Sequence, residues 1–305
     1  MAQTLLRLGT RGSPLALTQA RMVRAAVAAT QGWAEDAIEI VTVKTTGDKV
    51  QDRALAEIGG KALWTKELDR ALLDGEIDIA VHSMKDVETI RPAAITIAAM
   101  LPRADVRDRL IGADSIDALK HGATVGTSSP RRAAQLQRRR PDLQITLLRG
   151  NVDTRLAKVA SGEIDATLLA AAGLDRLGRG DVGAAIPLDV MLPAPAQGAV
   201  GIEARTDDQP TRALLAAISD AETYRCVMAE RALLAALKAD CHSPVAALAR
   251  IDGALGMRAE LYAEDGSAHV AATISSEGDD AAAATALAKA LLADAPPAIA
   301  ALFGG

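Results

Sequence analysis

One of the two cysteines in the 305-residue chain lies where chemistry is favoured over packing. Cys241 stands in the polar segment Asp240-Cys-His-Ser-Pro244, just past the end of a predicted helix. A cysteine in such a loop presents its sulfur as a nucleophile, whereas one with apolar neighbours at helical spacing is a small core residue. Cys226 lies within the apolar stretch 224–237, so we expect it to be buried.

A carboxylate, Asp86, follows the apolar run Ile79–Val81 in the segment His82-Ser-Met-Lys-Asp86. Ligands of open α/β sheets bind at the carboxyl ends of the strands. Asp86 is therefore a candidate for acid–base or electrostatic catalysis. Two plainer roles stay open at this point, a helix N-cap and a local ion pair with Lys85.

Arginine is concentrated in the middle of the chain. Residues 103–155 hold ten Arg and one Lys against six Asp, while the whole chain has a net charge of −5. Guanidinium groups suit bidentate contacts with carboxylates and phosphates, so this distribution predicts a local anion site in an acidic protein. Arg138, Arg139 and Arg140 are more typical of a solvated helix surface, and we assign them there.

Composition excludes several other classes of function. The net negative charge and the five aromatic residues argue against a nucleic-acid binder, including an RNA-binding protein that would use the arginines. The four histidines lack the spacing of metal ligands, and two cysteines cannot form a disulfide framework. No apolar run approaches the roughly 18 residues that span a bilayer. We therefore expect a cytoplasmic protein that binds no metal, no membrane and no nucleic acid.

The elements that would carry these residues occur twice in the same order. Leu5–Gly9 and Thr124–Gly126 are short predicted strands, and a Ser-Pro pair begins the helix after each of them. Further on, Gly75-Glu-Ile-Asp78 and Gly162-Glu-Ile-Asp165 each follow an amphipathic helix and lead into an apolar strand. This alternation of strands and helices is typical of a parallel sheet.

Seven segments in register make the chain similar to the porphobilinogen deaminases, also called hydroxymethylbilane synthases. They are Leu8-Gly-Thr-Arg-Gly-Ser-Pro-Leu-Ala-Leu17, Gly59-Gly-Lys61, His82-Ser-Met-Lys-Asp86, Gly126-Thr-Ser-Ser-Pro-Arg-Arg132, Leu148-Arg-Gly-Asn-Val-Asp-Thr-Arg155, Gln197-Gly-Ala-Val-Gly201 and Cys241. The resemblance covers nearly the whole chain and is weakest after about residue 250. Glu57 replaces a frequent lysine, Ala239-Asp240 replaces Gly-Gly, and Trp64 replaces a frequent Phe.

The duplication and the resemblance together predict an α/β fold of two lobes, similar to those of periplasmic binding proteins, around a cleft. A smaller α+β C-terminal domain would follow them. We assign residues 1–98 with 198–218 to the first lobe, 104–193 to the second, and 220–305 to the C-terminal domain. The proline-punctuated segment 187–195 is interpreted as the crossover between the lobes.

The resemblance implies an enzyme of tetrapyrrole biosynthesis. It would condense four porphobilinogen molecules head to tail with loss of ammonia, release hydroxymethylbilane by hydrolysis, and pass that product to uroporphyrinogen-III synthase. A dipyrromethane cofactor would be held by a thioether at Cys241. Asp86 matches the family's catalytic aspartate, which stabilises the cationic azafulvenium and moves protons. We expect a monomer.

The resemblance also implies which residues bind the cofactor and the substrate. For the cofactor these are Ser83, Lys85, Thr127, Ser128, Ser129, Arg131, Arg132 and Gly150. For the substrate they are Arg11, Ser13, Gln19, Lys61, Trp64, Arg149, Arg155, Arg176 and Gln197. Every pyrrole carries an acetate and a propionate. The two pyrroles of the cofactor and the four substrate units would therefore bring about twelve carboxylates to these donors. Arg11, Arg149 and Arg155 are expected in loops at strand ends.

A two-lobed protein that binds an anion or another solute without catalysis is the alternative. The same duplicated fold would serve it. It would leave Cys241 and the C-terminal domain without a role, and we therefore favour the enzyme.

Overall fold

A computed structural model describes residues 4–44 and 65–303. The chain divides into two compact units, Met1–Ala104 with Gly198–Tyr224 and Asp105–Gln197 with Arg225–Gly305. We call these the first and the second unit. The division of the chain into three domains stays a prediction. No helix among the described residues is long and apolar enough to cross a membrane.

The secondary structure alternates between strands and helices over most of the chain. The strands are β1 (Leu6–Arg11), β2 (Ile38–Val43), β3 (Ile79–Ser83), β4 (Ile95–Met100), β5 (Asp108–Ile111), β6 (Thr124–Gly126), β7 (Gln144–Thr146), β8 (Ala166–Ala170), β9 (Ala184–Ala185), β10 (Val200–Arg205), β11 (Val245–Asp252), β12 (Ala254–Tyr262) and β13 (His269–Ser276). The helices are α1 (Pro14–Gln31), α2 (Lys66–Leu73), α3 (Pro130–Arg139), α4 (Val152–Ala160), α5 (Ala171–Arg176), α6 (Gln209–Ala216), α7 (Ala221–Leu237), α8 (Asp280–Ala293) and α9 (Pro297–Ala300). Short 3₁₀ turns cover Glu35–Ala37 and Met84–Asp86.

Each unit contains a five-stranded sheet of the same design. The order is β2-β1-β3-β10-β4 in the first unit and β7-β6-β8-β5-β9 in the second. In the first sheet β1 lies parallel between β2 and β3, and in the second β6 lies parallel between β7 and β8. The repeat predicted from the sequence is confirmed, because equivalent segments form equivalent strands.

The alternation of strands and helices predicted a parallel sheet, but each sheet also contains antiparallel pairs. β10 is antiparallel to β3 and β4, and β5 is antiparallel to β8 and β9. β10 comes more than a hundred residues after the strand beside it, so no local βαβ pattern indicates its direction. The sheets are therefore mixed, and the α/β class itself is confirmed.

The helix boundaries follow from local capping. Ser13 and Ser129 each accept a hydrogen bond from a backbone N–H in the first turn of the following helix, with proline next in sequence. Gly75 and Gly162 follow α2 and α4 with φ of 70° and 76°, in the left-handed region that favours glycine. These four predicted helix ends are confirmed.

The C-terminal part of the second unit is a three-stranded antiparallel sheet, β11-β12-β13, packed with α7, α8 and α9. Leu233, Leu255, Leu261 and Leu291 are fully buried in its core. Cys226 belongs to the same core and is 6% exposed, as predicted. The smaller α+β domain is confirmed, although strand β11 was not predicted from the sequence.

A buried ionic cluster in the first unit connects α2, β3, β10 and the segment before β4. Arg91 donates through Nε to Glu203 (2.7 Å) and through Nη1 to Glu88 (2.7 Å), and it also contacts Asp69. His82 Nε2 lies 3.0 Å from Glu203 Oε2. Burial would raise the pKa of Glu203, but His82 and Arg91 outweigh it and lower the pKa from 4.5 to about 2. The stabilisation from this carboxylate is therefore complete above pH 4.5 and is lost as the pH falls towards 2.

Replacing Arg91 by Leu should destabilise the protein by about 3–5 kcal/mol, because three carboxylates would lose the cation that they share. Urea unfolding at neutral pH measures this loss. Arg139→Leu is the control, since Arg139 and its partner Asp117 are both exposed. The control should cost under about 1 kcal/mol. Equal losses in the two variants would contradict the prediction.

Candidate functional site

Asp86 lies at the carboxyl edge of the first sheet. It is the last residue of the 3₁₀ turn that continues strand β3, and its side chain is half-buried. Among the described residues, the Asp86 carboxylate forms no ion pair or hydrogen bond with a side chain. No described contact makes it a helix cap or a partner of Lys85, the two plainer roles. A carboxylate placed this way is available to a ligand.

Two other predicted residues meet at the end of β3, the strand that leads to Asp86. Gln19 is buried on α1, and its Nε2 donates to Ser83 Oγ at the end of β3 (2.8 Å). Arg11 ends the neighbouring strand β1, and Ser13 caps α1 directly after it. Because β1 and β3 are adjacent and parallel, these residues gather at one edge of the sheet.

Close packing under the turn holds its backbone in place. Gly201 on β10 pairs with His82 on β3. A methyl group on Gly201 would overlap Met84 Sδ and Cγ. Met84 is fully buried and begins the turn that carries Lys85 and Asp86. Glycine at 201 therefore leaves room for Met84 to pack against the sheet, and this packing fixes the backbone of the turn.

A second group of predicted residues converges in the second unit. Arg131 donates through Nη2 to Asp108 Oδ2 (2.8 Å), and Arg132 donates through Nη2 to Asp108 Oδ1 (2.7 Å). Gln197 donates through Nε2 to Asp108 Oδ1 (3.0 Å). All four side chains are buried. Burial alone would raise the pKa of Asp108, but the two guanidiniums hold that pKa far below its usual range.

These two arginines are not fully satisfied. Arg131 Nη1 donates to Leu192 O (2.7 Å) and Arg132 Nη1 donates to Leu168 O (3.0 Å). The Nε atoms of both arginines are buried with no hydrogen-bond partner among the described residues. Buried donors without partners are rare in proteins, so the arrangement is suited to an additional anion.

The hydroxyl residues before α3 form a compact turn. Thr127 is buried, and its Oγ1 accepts from the backbone N–H of Ser129 (3.1 Å). Ser129 caps the helix, and Ser128 between them is half-buried. Helix α3 thus begins at a capped N-terminus, which is the kind of end that binds anions.

The segment after β7 is shaped by glycine and a helix cap. Gly150 has φ of 111°, and a side chain there would overlap Thr154. Asn151 Oδ1 accepts from the Thr154 backbone N–H (2.9 Å) and caps α4. Arg155 lies on α4 instead of in a loop, which corrects the prediction, and its Nε donates to Gly150 O (3.0 Å). Arg149 is half-buried directly before Gly150.

Arg176 ends helix α5 and is half-buried. Burial lowers the pKa of its guanidinium. Arg139, by contrast, is exposed and pairs with Asp117 through Nε (2.9 Å). Arg138 and Arg139 are exposed, as predicted. The surface role predicted for Arg140 is wrong, because its guanidinium is half-buried and donates to Asp142 Oδ1 (2.7 Å) and to the carbonyls of Ile116 and Leu119.

Cys241 is exposed in the turn between α7 and β11, as predicted. Asp240 orders this turn, because its Oδ1 accepts from the backbone N–H of His242 (2.8 Å) and its own N–H donates to Ser243 Oγ (3.1 Å). Where Asp240 replaces glycine, it therefore supplies a hydrogen bond that glycine cannot. Cys226, by contrast, is buried.

Some predictions lie outside the described residues, namely those on Glu57, Gly59, Gly60, Lys61 and Trp64. Two residues of the observed networks were missed in the sequence, Asp108 and Arg91. The signal for Asp108 was indirect, since two adjacent arginines that become buried need a carboxylate nearby. Nothing in the spacing showed which of the neighbouring aspartates would supply it.

Comparison with known families covers nearly the whole chain. A family described as "Porphobilinogen deaminase, dipyromethane cofactor binding domain" matches residues 6–213. A second, described as "Porphobilinogen deaminase, C-terminal domain", matches residues 224–295. The matches together contain every candidate residue named above.

Individual relatives give the same result. The chain is 60% identical to the porphobilinogen deaminase of Sphingopyxis alaskensis over an alignment 305 positions long, which covers 98% of this chain and 96% of that protein. It is 52% identical to that of Paracoccus denitrificans over 299 residues, or 96% of each. Among solved structures, immunogenic lipoprotein A from Vibrio vulnificus matches with a TM-score of 0.44 and 13% identity, over 72% of this chain and 96% of that one.

Proposed function

The chain belongs to the porphobilinogen deaminase family, and we propose that its two units divide the labour of that reaction. Asp86 in the first unit stabilises the developing positive charge and transfers protons. Arginines of the second unit hold carboxylates, and Cys241 anchors the cofactor. The observation that carries this proposal is the buried pair Arg131 and Arg132, whose Nε donors have no partner among the described residues.

The reaction of the family sets the chemical requirements. Four porphobilinogen molecules are joined head to tail with loss of ammonia, and hydroxymethylbilane is the product of this step of tetrapyrrole biosynthesis. Each substrate brings one acetate and one propionate. Each condensation passes through a cationic pyrrole derivative and ends with the loss of a proton. A site for this reaction therefore needs cations for the carboxylates and one basic anion for the reacting carbon.

The second unit fits a dipyrromethane. When bound, this group supplies the pyrrole to which the first substrate is joined. Cys241 is exposed and can form the thioether, while Cys226 is buried. Arg131 and Arg132 have donors left for a carboxylate. We assign Thr127, Ser128, Ser129 and Gly150 of this unit to the same task.

Asp86 suits the reacting centre because its carboxylate is not engaged by another described side chain. A carboxylate near a developing cation stabilises it, and electrostatic stabilisation of this kind is usually the largest catalytic contribution. The same oxygens can accept the departing proton. Gln19 and Ser83 support the adjacent strand end through their hydrogen bond.

The remaining predicted residues are assigned to the growing chain of pyrroles. These are Arg11, Ser13, Arg149, Arg155, Arg176 and Gln197, together with Lys61 and Trp64. With about twelve carboxylates in a finished chain, several charge-assisted hydrogen bonds are needed at once. We further propose that the enzyme is a cytoplasmic monomer that passes hydroxymethylbilane to uroporphyrinogen-III synthase.

Replacing Arg149 or Arg155 by Leu tests the division of tasks. Such a variant should fail to load the cofactor or should stall, so that protein carrying one, two or three added pyrroles accumulates. The physical reason is that a carboxylate left without its cation costs more than an exposed ion pair contributes. Native mass spectrometry after limited substrate measures the distribution of species.

Arg139→Leu is the matched control for this experiment. Arg139 belongs to the same unit, but it is exposed and pairs with Asp117. We expect this variant to load and elongate like the wild type. Normal elongation in the Arg149 and Arg155 variants combined with stalling in the Arg139 variant would overturn the assignment of the site.

A further inference from the structure

Asp108 is the first residue of β5, and its side chain is 1% exposed. Three donors from three separate segments reach its two oxygens. Oδ2 accepts from Arg131, while Oδ1 accepts from both Arg132 and Gln197. The carboxylate is therefore the common acceptor for three residues assigned to cofactor and substrate.

Adjacent residues on a helix do not face each other, because successive side chains are about 100° apart around the axis. Arg131 and Arg132 occupy the first turn of α3 and would ordinarily diverge. Their guanidiniums nevertheless meet at one carboxylate, each taking one oxygen of Asp108. Backbone carbonyls of Leu192 and Leu168 hold the opposite Nη1 atoms. The orientation of both guanidiniums is thus set from two sides.

The charges of this group do not cancel. Among the described residues, Asp108 is the only carboxylate within ion-pair distance of either guanidinium. Two buried cations against one buried anion leave one positive charge, and burial is costly for a charge that lacks a partner. The unpartnered Nε atoms belong to the same two guanidiniums. One further carboxylate would both neutralise the group and satisfy these donors.

We infer that Asp108 is a positioning residue, which orients Arg131 and Arg132 jointly for one carboxylate of the bound pyrrole chain. It does so without touching that chain, because its own oxygens are already occupied by three donors. Asp108 also lowers the excess positive charge of the two arginines from two to one, so that one bound carboxylate neutralises the cluster instead of two. This inference rests on the proposed function, in which the two arginines hold the cofactor.

Two simpler roles make different predictions. If Asp108 only stabilises the fold, its loss should lower stability without changing cofactor loading of the folded protein. If Asp108 only lowers the positive charge of the cluster, its loss should speed the loading of an anionic group. A positioning role predicts slower loading, because two correctly aimed donors are lost even though the net positive charge rises.

Asp108→Asn is the informative variant, since it keeps the shape of the side chain and removes its charge. Full-length protein prepared without cofactor is mixed with porphobilinogen, and the loaded fraction is followed by intact mass at a temperature well below unfolding. Loading should slow on the order of 10-fold or more. Asp117→Asn, which removes the exposed partner of Arg139, should load at the wild-type rate.

A background that lacks both arginines tests whether Asp108 acts through them. In the Arg131→Gln, Arg132→Gln protein, adding Asp108→Asn should change the loading rate by less than about 3-fold, because coupled residues are not additive. This triple variant carries no charge at the cluster, so it avoids the unbalanced cations of the single variant. The same 10-fold loss in both backgrounds would overturn the inference.

Loading of Asp108→Asn at or above the wild-type rate would also overturn it. If that variant does not fold, Asp108→Glu decides, since it keeps the charge but moves the carboxylate by one methylene group. Slow loading of folded Asp108→Glu supports the inference, and wild-type loading refutes it. A wild-type protein that never acquires the adduct would instead refute the proposed function.

Discussion

Replacing Cys241 by Ser is expected to abolish turnover and to leave the purified protein without a covalent adduct. A serine hydroxyl is a far weaker nucleophile than a thiolate near neutral pH, so the bond to the dipyrromethane does not form. Without that bond the growing chain of pyrroles has no anchor. Intact mass should equal the sequence mass, whereas the wild-type protein should exceed it by one dipyrromethane.

Cys226→Ser is the matched control. Cys226 is 6% exposed in the core formed by α7 and the C-terminal sheet, so the change should cost about 1–3 kcal/mol in stability. It should keep both adduct and activity. A wild-type protein that is fully active but unmodified would end the assignment of Cys241. An unmodified protein that binds anions without turnover would favour the non-catalytic alternative.

Replacing Asp86 by Asn should lower kcat by about 10²-fold or more while the fold stays intact. Asparagine has nearly the same shape, but it carries no negative charge and cannot accept the departing proton. The folded state should tolerate the change, because the Asp86 carboxylate pairs with no other described side chain. Turnover of cofactor-loaded protein gives kcat, and circular dichroism reports the fold.

Asp74→Asn controls for the loss of a carboxylate in the same unit. Asp74 is exposed at the end of α2, where Arg70 lies 3.5 Å away. The kcat of the Asp74→Asn variant should equal that of the wild type. A near-normal kcat for Asp86→Asn, with an unchanged dependence on pH, would show that Asp86 is structural.

Local patterns predicted several local features of the structure correctly. The Ser-Pro pairs at 13–14 and 129–130 begin helices as expected, and Asp86 follows a buried strand. The contrast between a buried Cys226 and an exposed Cys241 was also predictable from neighbouring residues. Each of these signals acts over a few residues, because caps, turns and amphipathic spacing are set by backbone geometry along the chain.

The pairing of strands that are far apart in the sequence could not be predicted. The sequence pattern indicated the parallel strands β1, β3, β6 and β8 correctly, but not that β10 and β5 run antiparallel to their neighbours. Nothing in an apolar run shows which strand will lie beside it. Arg155 was placed in a loop for a different, local reason: the cap at Asn151 begins α4 before Arg155, so Arg155 lies on the helix.

The partners of buried charges depended entirely on the folded chain. Asp108 lies 23 residues from Arg131, and Arg91 lies 112 residues from Glu203. Composition and motifs indicated the exposed cysteine, the aspartate at the strand end and the arginine-rich segment, because these are properties of residue type and local order. Which arginines are buried, and which carboxylate orients them, was decided by packing: only when β5 and α3 meet in the interior does the cost of an isolated charge select its partner.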